Sequence, residues 1–213
     1  MRRRTAVLLS GRGSNCAALL AAAADPAYPA EIALVLSNVP DAPGLARAAA
    51  AGVPAHAIDH RRFGRDREAH ERAMLAALQA AAIDLVCLAG YMRRLTPLLV
   101  GAYAGRMLNI HPSLLPAFPG LHPHAAALAA GVKLHGCTVH RVTEALDAGP
   151  IVAQAAVPVL PGDSEATLAA RVLVQELRLY PLALALLASG GAGEPAAAAA
   201  ALCNPLPGTG APA

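Results

Sequence analysis

The chain has 213 residues, enough for one α/β domain and short for two. Apolar residues make up 56% of it but aromatics only 3%, with no Trp, so its interior must be built from Leu, Val, Ile and Ala. A net charge of +3, scattered arginines and a single short basic cluster at Arg2-Arg3-Arg4 supply no polyanion surface, which argues against a nucleic-acid partner.

Cys16, Cys87, Cys137 and Cys203 are widely separated and form no CxxC pair, so neither a structural zinc site nor a disulfide framework is expected. The apolar stretch after the N-terminal arginines stops at Ser10-Gly11, too early for a signal peptide, and no run has the length of a membrane span. A cytoplasmic protein without a membrane partner is expected.

Ala6–Ser10 reads as a first strand, followed by glycine-rich punctuation and a helix opening near Asn15. Glu31–Ser37 is a second strand, 44–51 a helix and Val53–Ile58 a short third strand. Asp66–Ala82 sets Met74, Leu75 and Leu78 on one face and charges on the other, a helical pattern. Asp84–Ala89 is an uninterrupted apolar strand, as expected where helices cover both faces of a parallel sheet. Met107–Ile110 is a further strand, and Cys137–Val142 with Ile151–Val159 an antiparallel pair. Ser164-Glu165 caps a long helix running toward Leu187. The rhythm predicts a doubly wound, mostly parallel α/β sheet with an antiparallel far edge, forming a single domain over residues 1–188. Residues 189–213 change to Ala, Pro and Gly and are expected to form a loosely ordered tail.

In such sheets ligands sit at the carboxyl ends of strands, so segments just after strands carry the chemistry. Ser10-Gly11-Arg12-Gly13-Ser14-Asn15 is one of these. Its glycines allow a sharp turn, and the free amides at the helix start attract an anion. It matches neither the dinucleotide fingerprint nor a P-loop. Two readings stand: a cradle for a single phosphate, or an ordinary turn with an Asn cap.

Asn109-Ile110-His111-Pro112 ends a strand. Residues two apart share a face, so Asn109 and His111 can point into one cleft, an amide to stabilise an oxyanion and an imidazole to shuttle a proton. The alternative is a capping Asn and a packed His. Asp147, in the turn Leu146-Asp147-Ala148-Gly149-Pro150, would bond its own backbone, or, if brought near His111, raise the imidazole pKa and orient it. His122-Pro123-His124 has no carboxylate or Cys at metal-binding spacing, so no metal is expected.

Six segments occur in one order: 9–15 (LSGRGSN), 88–93 (LAGYMR), 109–116 (NIHPSLLP), 120–122 (GLH), 135–140 (HGCTVH) and 146–150 (LDAGP). Together they resemble the glycinamide ribonucleotide formyltransferase family, from about Ala6 through Leu187. The resemblance implies a formyltransferase Rossmann-like fold. It also implies transfer of a formyl group from 10-formyltetrahydrofolate to the amine of glycinamide ribonucleotide in purine synthesis, with no metal. A monomer or homodimer acting on these small molecules is expected.

By the same resemblance Asn109, His111 and Asp147 form the catalytic set, and the amine attacks the formyl carbon directly. Gly13, Ser14, Asn15 and Cys16 would hold the phosphate, Cys16 through its backbone, and Glu176 the ribose hydroxyls. The folate would lie along Tyr91, Met92, Arg93, Arg94 and Leu95, with Asn109, Thr143, Glu144 and Asp147 closing the pocket and Arg67 near its glutamate end. Arg12, Arg94, Ala117 and Arg141 depart from the residues commoner in the family. Methionyl-tRNA formyltransferase and formyltetrahydrofolate deformylase share the fold. They carry, respectively, an added C-terminal nucleic-acid-binding domain and an N-terminal regulatory domain, neither expected here. A non-catalytic folate or nucleotide sensor would be expected to lose one of Asn109, His111 or Asp147.

Overall fold

The computed structural model describes residues 1–190. Seven strands form one sheet in the order β3-β2-β1-β4-β5-β6-β7. They are β1 (Arg3–Leu9), β2 (Ala30–Ser37), β3 (Ala55–Ala57), β4 (Leu85–Leu88), β5 (Met107–His111), β6 (Leu134–Arg141) and β7 (Ile151–Pro158). The pairings from β3 to β5 are parallel, while β5–β6 and β6–β7 are antiparallel. The predicted doubly wound sheet with an antiparallel far edge is therefore the observed one.

Alternation along the central strands divides the interior in two. Val7 and Leu9 of β1 and Leu85 and Cys87 of β4 face one core, which contains Leu19 of α1 (Ser14–Ala23). Ala48 of α2 (Pro43–Ala50) packs there too, as do Leu168, Val172 and Tyr180 of α6 (Glu165–Ala188). Ala6 and Leu8, with Val86 and Leu88, face the other core, against Met74 and Leu78 of α3 (Arg67–Ala80) and Leu99 of α4 (Pro97–Ala102). Each buried leucine contributes about 2 kcal/mol through removal from water. With few aromatics, the core is aliphatic as composition required.

Boundaries moved where pairing partners run out. The third strand shrinks from the expected 53–58 to three residues, because it is an edge strand paired only with Val35–Ser37 and Pro54 cannot donate to a ladder. The helix expected over 66–82 is α3, with Asp66 outside as N-cap, its carboxylate accepting from Ala69 N at 2.8 Å. Three short elements were not anticipated: a 3-10 turn at His60–Phe63, α4, and α5 (Pro123–Ala129). Ser164 caps α6 in a box completed by Thr167 rather than by an acidic residue. Ser189 is the C-cap of α6, and residues 191–213 of the expected tail lie outside those described.

Chain order reverses between β1 and β4, which leads outward to β2 and β3 on one side and to β5 on the other. At such a switch point the loops leaving adjacent strands diverge and leave a crevice at their carboxyl ends. Ser10–Gly13 leaves β1 there and Gly90–Leu95 leaves β4.

Candidate active site

A cavity of about 490 Å³ opens at this end of the sheet. Gly90–Leu95 forms one wall, Asn109–Pro112 the floor, Gly120–Pro123 and 142–147 the remainder. The first wall can turn away from β4 because Gly90 takes φ +74, a left-handed conformation that a side chain disfavours.

At the floor, β5, β6 and the β6–β7 turn bring four polar side chains together. Asn109 pairs across the antiparallel ladder with His140, and the Asn109 amide nitrogen lies 3.1 Å from His140 Nε2. His140 Nδ1 is 3.1 Å from the Arg141 carbonyl, an acceptor that fixes the ring proton on Nδ1. Nε2 is thus left to accept from Asn109, which orients the amide. Burial, the largest effect, lowers the pKa of His140 and keeps the ring neutral, with nearby Asp147 opposing and His111 reinforcing the shift.

His111 is buried at the end of β5. Its Nε2 lies 3.0 Å from the Phe118 carbonyl and its Nδ1 3.5 Å from Asp147 Oδ2. Both ring nitrogens therefore face oxygen acceptors. Asp147 has φ +50 and side-chain exposure of only 8%. Its carboxylate accepts from Gly120 N at 2.9 Å and stands 3.8 Å from His140 Nε2. The turn aims it inward because Gly149 presses against β6: a Cβ there would sit 1.7 Å from the Arg141 carbonyl oxygen. Asp147 thus meets His111, and the alternative in which it bonds only its own turn does not hold.

The loop after β1 is fixed from the other side. Gly13, at φ +74, precedes α1, and a Cβ on it would come within 2.6 Å of Gly44 Cα. Gly44 N donates to Gly11 O at 3.1 Å, so the start of α2 braces the turn. Among the described residues no side chain caps α1, which leaves its first amides open to a ligand. Asn15 donates to Glu176 Oε2 at 2.7 Å across 161 residues of sequence, while its own Oδ1 is buried without a partner among the described residues. Burial raises the pKa of Glu176, with the Asn15 bond and His111 opposing. The Cys16 side chain is fully buried and its thiol is pushed up to about 12, so only its backbone can meet a ligand.

Of the expected folate residues, Tyr91, Met92, Arg93, Arg94, Leu95, Asn109, Thr143, Glu144 and Asp147 all line the cavity. Arg67 does not; it is the exposed first residue of α3. Arg94 is exposed at the rim. His140 was not singled out from sequence, although its alternation with Thr138 along a strand was a usable signal. His122 is exposed before α5, and His124 turns away to meet His135, Nδ1 to Nε2 at 3.1 Å. Among the described residues no three His, Cys, Asp or Glu side chains gather in a way that could hold a metal ion. Likewise, no helix among them is long and apolar enough to cross a membrane.

The sequence model of the family described as "Formyl transferase" matches residues 3–184. The phosphoribosylglycinamide formyltransferase of Escherichia coli is 47% identical over 184 residues, 86% of each chain. The trifunctional purine biosynthetic protein adenosine-3 of Drosophila pseudoobscura pseudoobscura is 51% identical over 191 residues, which are 89% of this chain but 14% of that protein. Among solved structures, phosphoribosylglycinamide formyltransferase from Brucella melitensis is 57% identical with a TM-score of 0.85, covering 89% of this chain and 97% of that one. Glycinamide ribonucleotide transformylase 1 from Symbiobacterium toebii is 48% identical with a TM-score of 0.86, covering 89% of each.

Proposed function

The chain belongs to the formyl transferase family, and from that we infer that it moves a formyl group from 10-formyltetrahydrofolate to the amine of glycinamide ribonucleotide, a step of purine synthesis. The observation that carries the reading is the meeting of Asn109, His111 and Asp147 at the floor of one cavity. None of them is a hydroxyl or thiol nucleophile, and nearby Ser113 is fully buried, with its hydroxyl given to Ala117 O at 2.6 Å. Direct attack of the amine on the formyl carbon fits such a site better than a covalent enzyme intermediate.

As the amine nitrogen bonds to the formyl carbon, the carbonyl oxygen gains negative charge. One Nδ2 hydrogen of Asn109 is held by His140, and the second is free for that oxygen. His111 would add an N–H toward the developing charge by exchanging its Phe118 carbonyl partner for that oxygen. Asp147 holds the imidazole in place and provides the carboxylate through which the amine proton is passed toward the leaving folate nitrogen. Collapse of the intermediate breaks the bond to that nitrogen, which takes up the proton. Proton transfer at positioned groups of this kind contributes roughly 10²–10⁴ in rate. The remainder comes from holding two substrates in register.

The phosphate would sit on the open amides at Gly13–Cys16, with Glu176 receiving the ribose hydroxyls. Backbone groups of 91–95 would hold the pterin. Arg67, outside the cavity, would reach only the far, glutamate end of the folate. The test is a spectroscopic assay of tetrahydrofolate release from 10-formyltetrahydrofolate, with and without glycinamide ribonucleotide. Release only with the amine is expected. Equal release without it would make the protein a hydrolase, and no release under either condition would make it a binding protein.

A further inference from the structure

Ser10 sits at the foot of the proposed phosphate loop, yet its side chain serves the other pocket. The hydroxyl accepts from Met92 N at 2.8 Å and donates to Asn38 Oδ1 at 2.6 Å, while Ser10 N donates to Gly90 O at 3.0 Å. Asn38 is buried at the end of β2, so the direction of the hydroxyl proton is fixed and its lone pair is presented to Met92. Gly90–Met92 is cavity wall. On the other side the loop is joined to α2 through two carbonyls: Gly11 O accepts from Gly44 N at 3.1 Å and Arg12 O from Arg47 Nε at 3.1 Å. One residue thus ties a braced loop to the wall of the neighbouring cavity.

We propose that Ser10 is a positioning residue that couples the two pockets: through its hydroxyl, a phosphate-bearing ligand that orders residues 10–15 also orders the folate wall at 90–92. The proposal rests on the transferase reading above, and coupling of this kind is reciprocal. The far end of the same wall has a separate anchor. The buried Glu71 carboxylate accepts from Thr96 N at 2.7 Å, Thr96 Oγ1 at 2.6 Å and Leu99 N at 3.3 Å, donors that lie outside the loop. Glu71 therefore supports the wall without joining it to the phosphate site, which makes it the natural comparison.

The experiment is calorimetric titration of the full chain with glycinamide ribonucleotide, without and with saturating tetrahydrofolate. The ratio of the two dissociation constants is the coupling. In the wild type a ratio of about fivefold is expected, the worth of one hydrogen bond. Ser10→Ala should bring it to about one while both ligands still bind, and Ser10→Thr, which keeps the hydroxyl, should restore it. Glu71→Gln should weaken tetrahydrofolate binding and keep the ratio. If Ser10→Ala does not give the wild-type circular dichroism spectrum, Asn38→Ala, which frees the hydroxyl to rotate, should lower the ratio in its place.

A wild-type ratio of one overturns the proposal. So does a ratio unchanged in the serine variant, or in the asparagine variant where that one is used. Failure of threonine to restore the ratio, or its equal loss in Glu71→Gln, overturns it as well. Binding of neither ligand by the wild type would instead remove the transferase reading, and the coupling with it.

Discussion

Asp147 reaches 3.5 Å from the His111 ring across 36 positions of sequence, with a left-handed backbone and a carboxylate also tied to Gly120 N. The contact joins the end of β5 to the β6–β7 turn. It makes a carboxylate, rather than solvent, the partner of His111 Nδ1.

Asp147→Asn keeps the size of the side chain and an acceptor for Gly120, and Asn tolerates φ +50 better than most residues. The variant should fold normally, lose roughly 10²-fold or more in kcat, and change KM by less than about threefold. Steady-state kinetics from about pH 6 to 9 will check this. Near-normal turnover across that range would take Asp147 out of the chemistry.

Gly149→Ala tests the scaffold that aims the carboxylate. Its Cβ would lie 1.7 Å from the Arg141 carbonyl oxygen, a collision with backbone that no rotamer relieves. A loss of about 2 kcal/mol in stability is expected from overpacking, with a fall in kcat beyond what the unfolded fraction explains. Denaturant titration alongside single-turnover rates separates the two. Unaltered stability and rate would mean that the turn moves aside without cost.

Asn15→Asp would set a second carboxylate against Glu176, where the amide now donates at 2.7 Å, and beside the proposed phosphate site. KM for the ribonucleotide should rise at least about tenfold, with kcat much less affected. An unchanged KM would return residues 13–16 to the role of an ordinary turn.

Acid should destabilise the fold through His135. The residue is 1% exposed, and burial, reinforced by His124, lowers its pKa from 6.5 to about 4. The unfolded chain then binds more protons between those values, so stability is full above pH 6.5 and declines as pH falls toward 4. Thermal melts across this window should show a falling midpoint, and His135→Gln, which does not titrate, should flatten the slope. A slope as steep in the variant would assign the acid sensitivity to other groups.

Sequence showed the central strands well: β4 is buried on both faces and reads as a continuous apolar run, and β1 does so from Ala6 to Leu9. It did not show α4 or α5. Six or seven residues cannot display a helical period; the available signs were the proline that opens each and the Thr96 cap before α4. The motif order pointed to Asn109 and His111, since residues two apart on a strand must share a face. The meeting of Asp147 with His111 and of Asn15 with Glu176 depends on how β6 and α6 pack against the sheet, which no local pattern encodes. His140 and Ser10 were missed because each acts on a neighbour rather than forming a motif of its own.

The fully buried Tyr180 hydroxyl lies 3.0 Å from Leu88 O, at the end of β4, and 3.2 Å from Leu108 O, within the neighbouring β5. Glu176 stands four residues earlier on the same helix, about one turn away. The axial setting of α6, and with it the reach toward a ribose, is therefore gauged against carbonyls of the two strands that carry the cavity wall and floor. A drift of α6 along its axis would misplace acceptor and chemistry together, so variation in the helix surface can accumulate freely only while that single phenol keeps its datum.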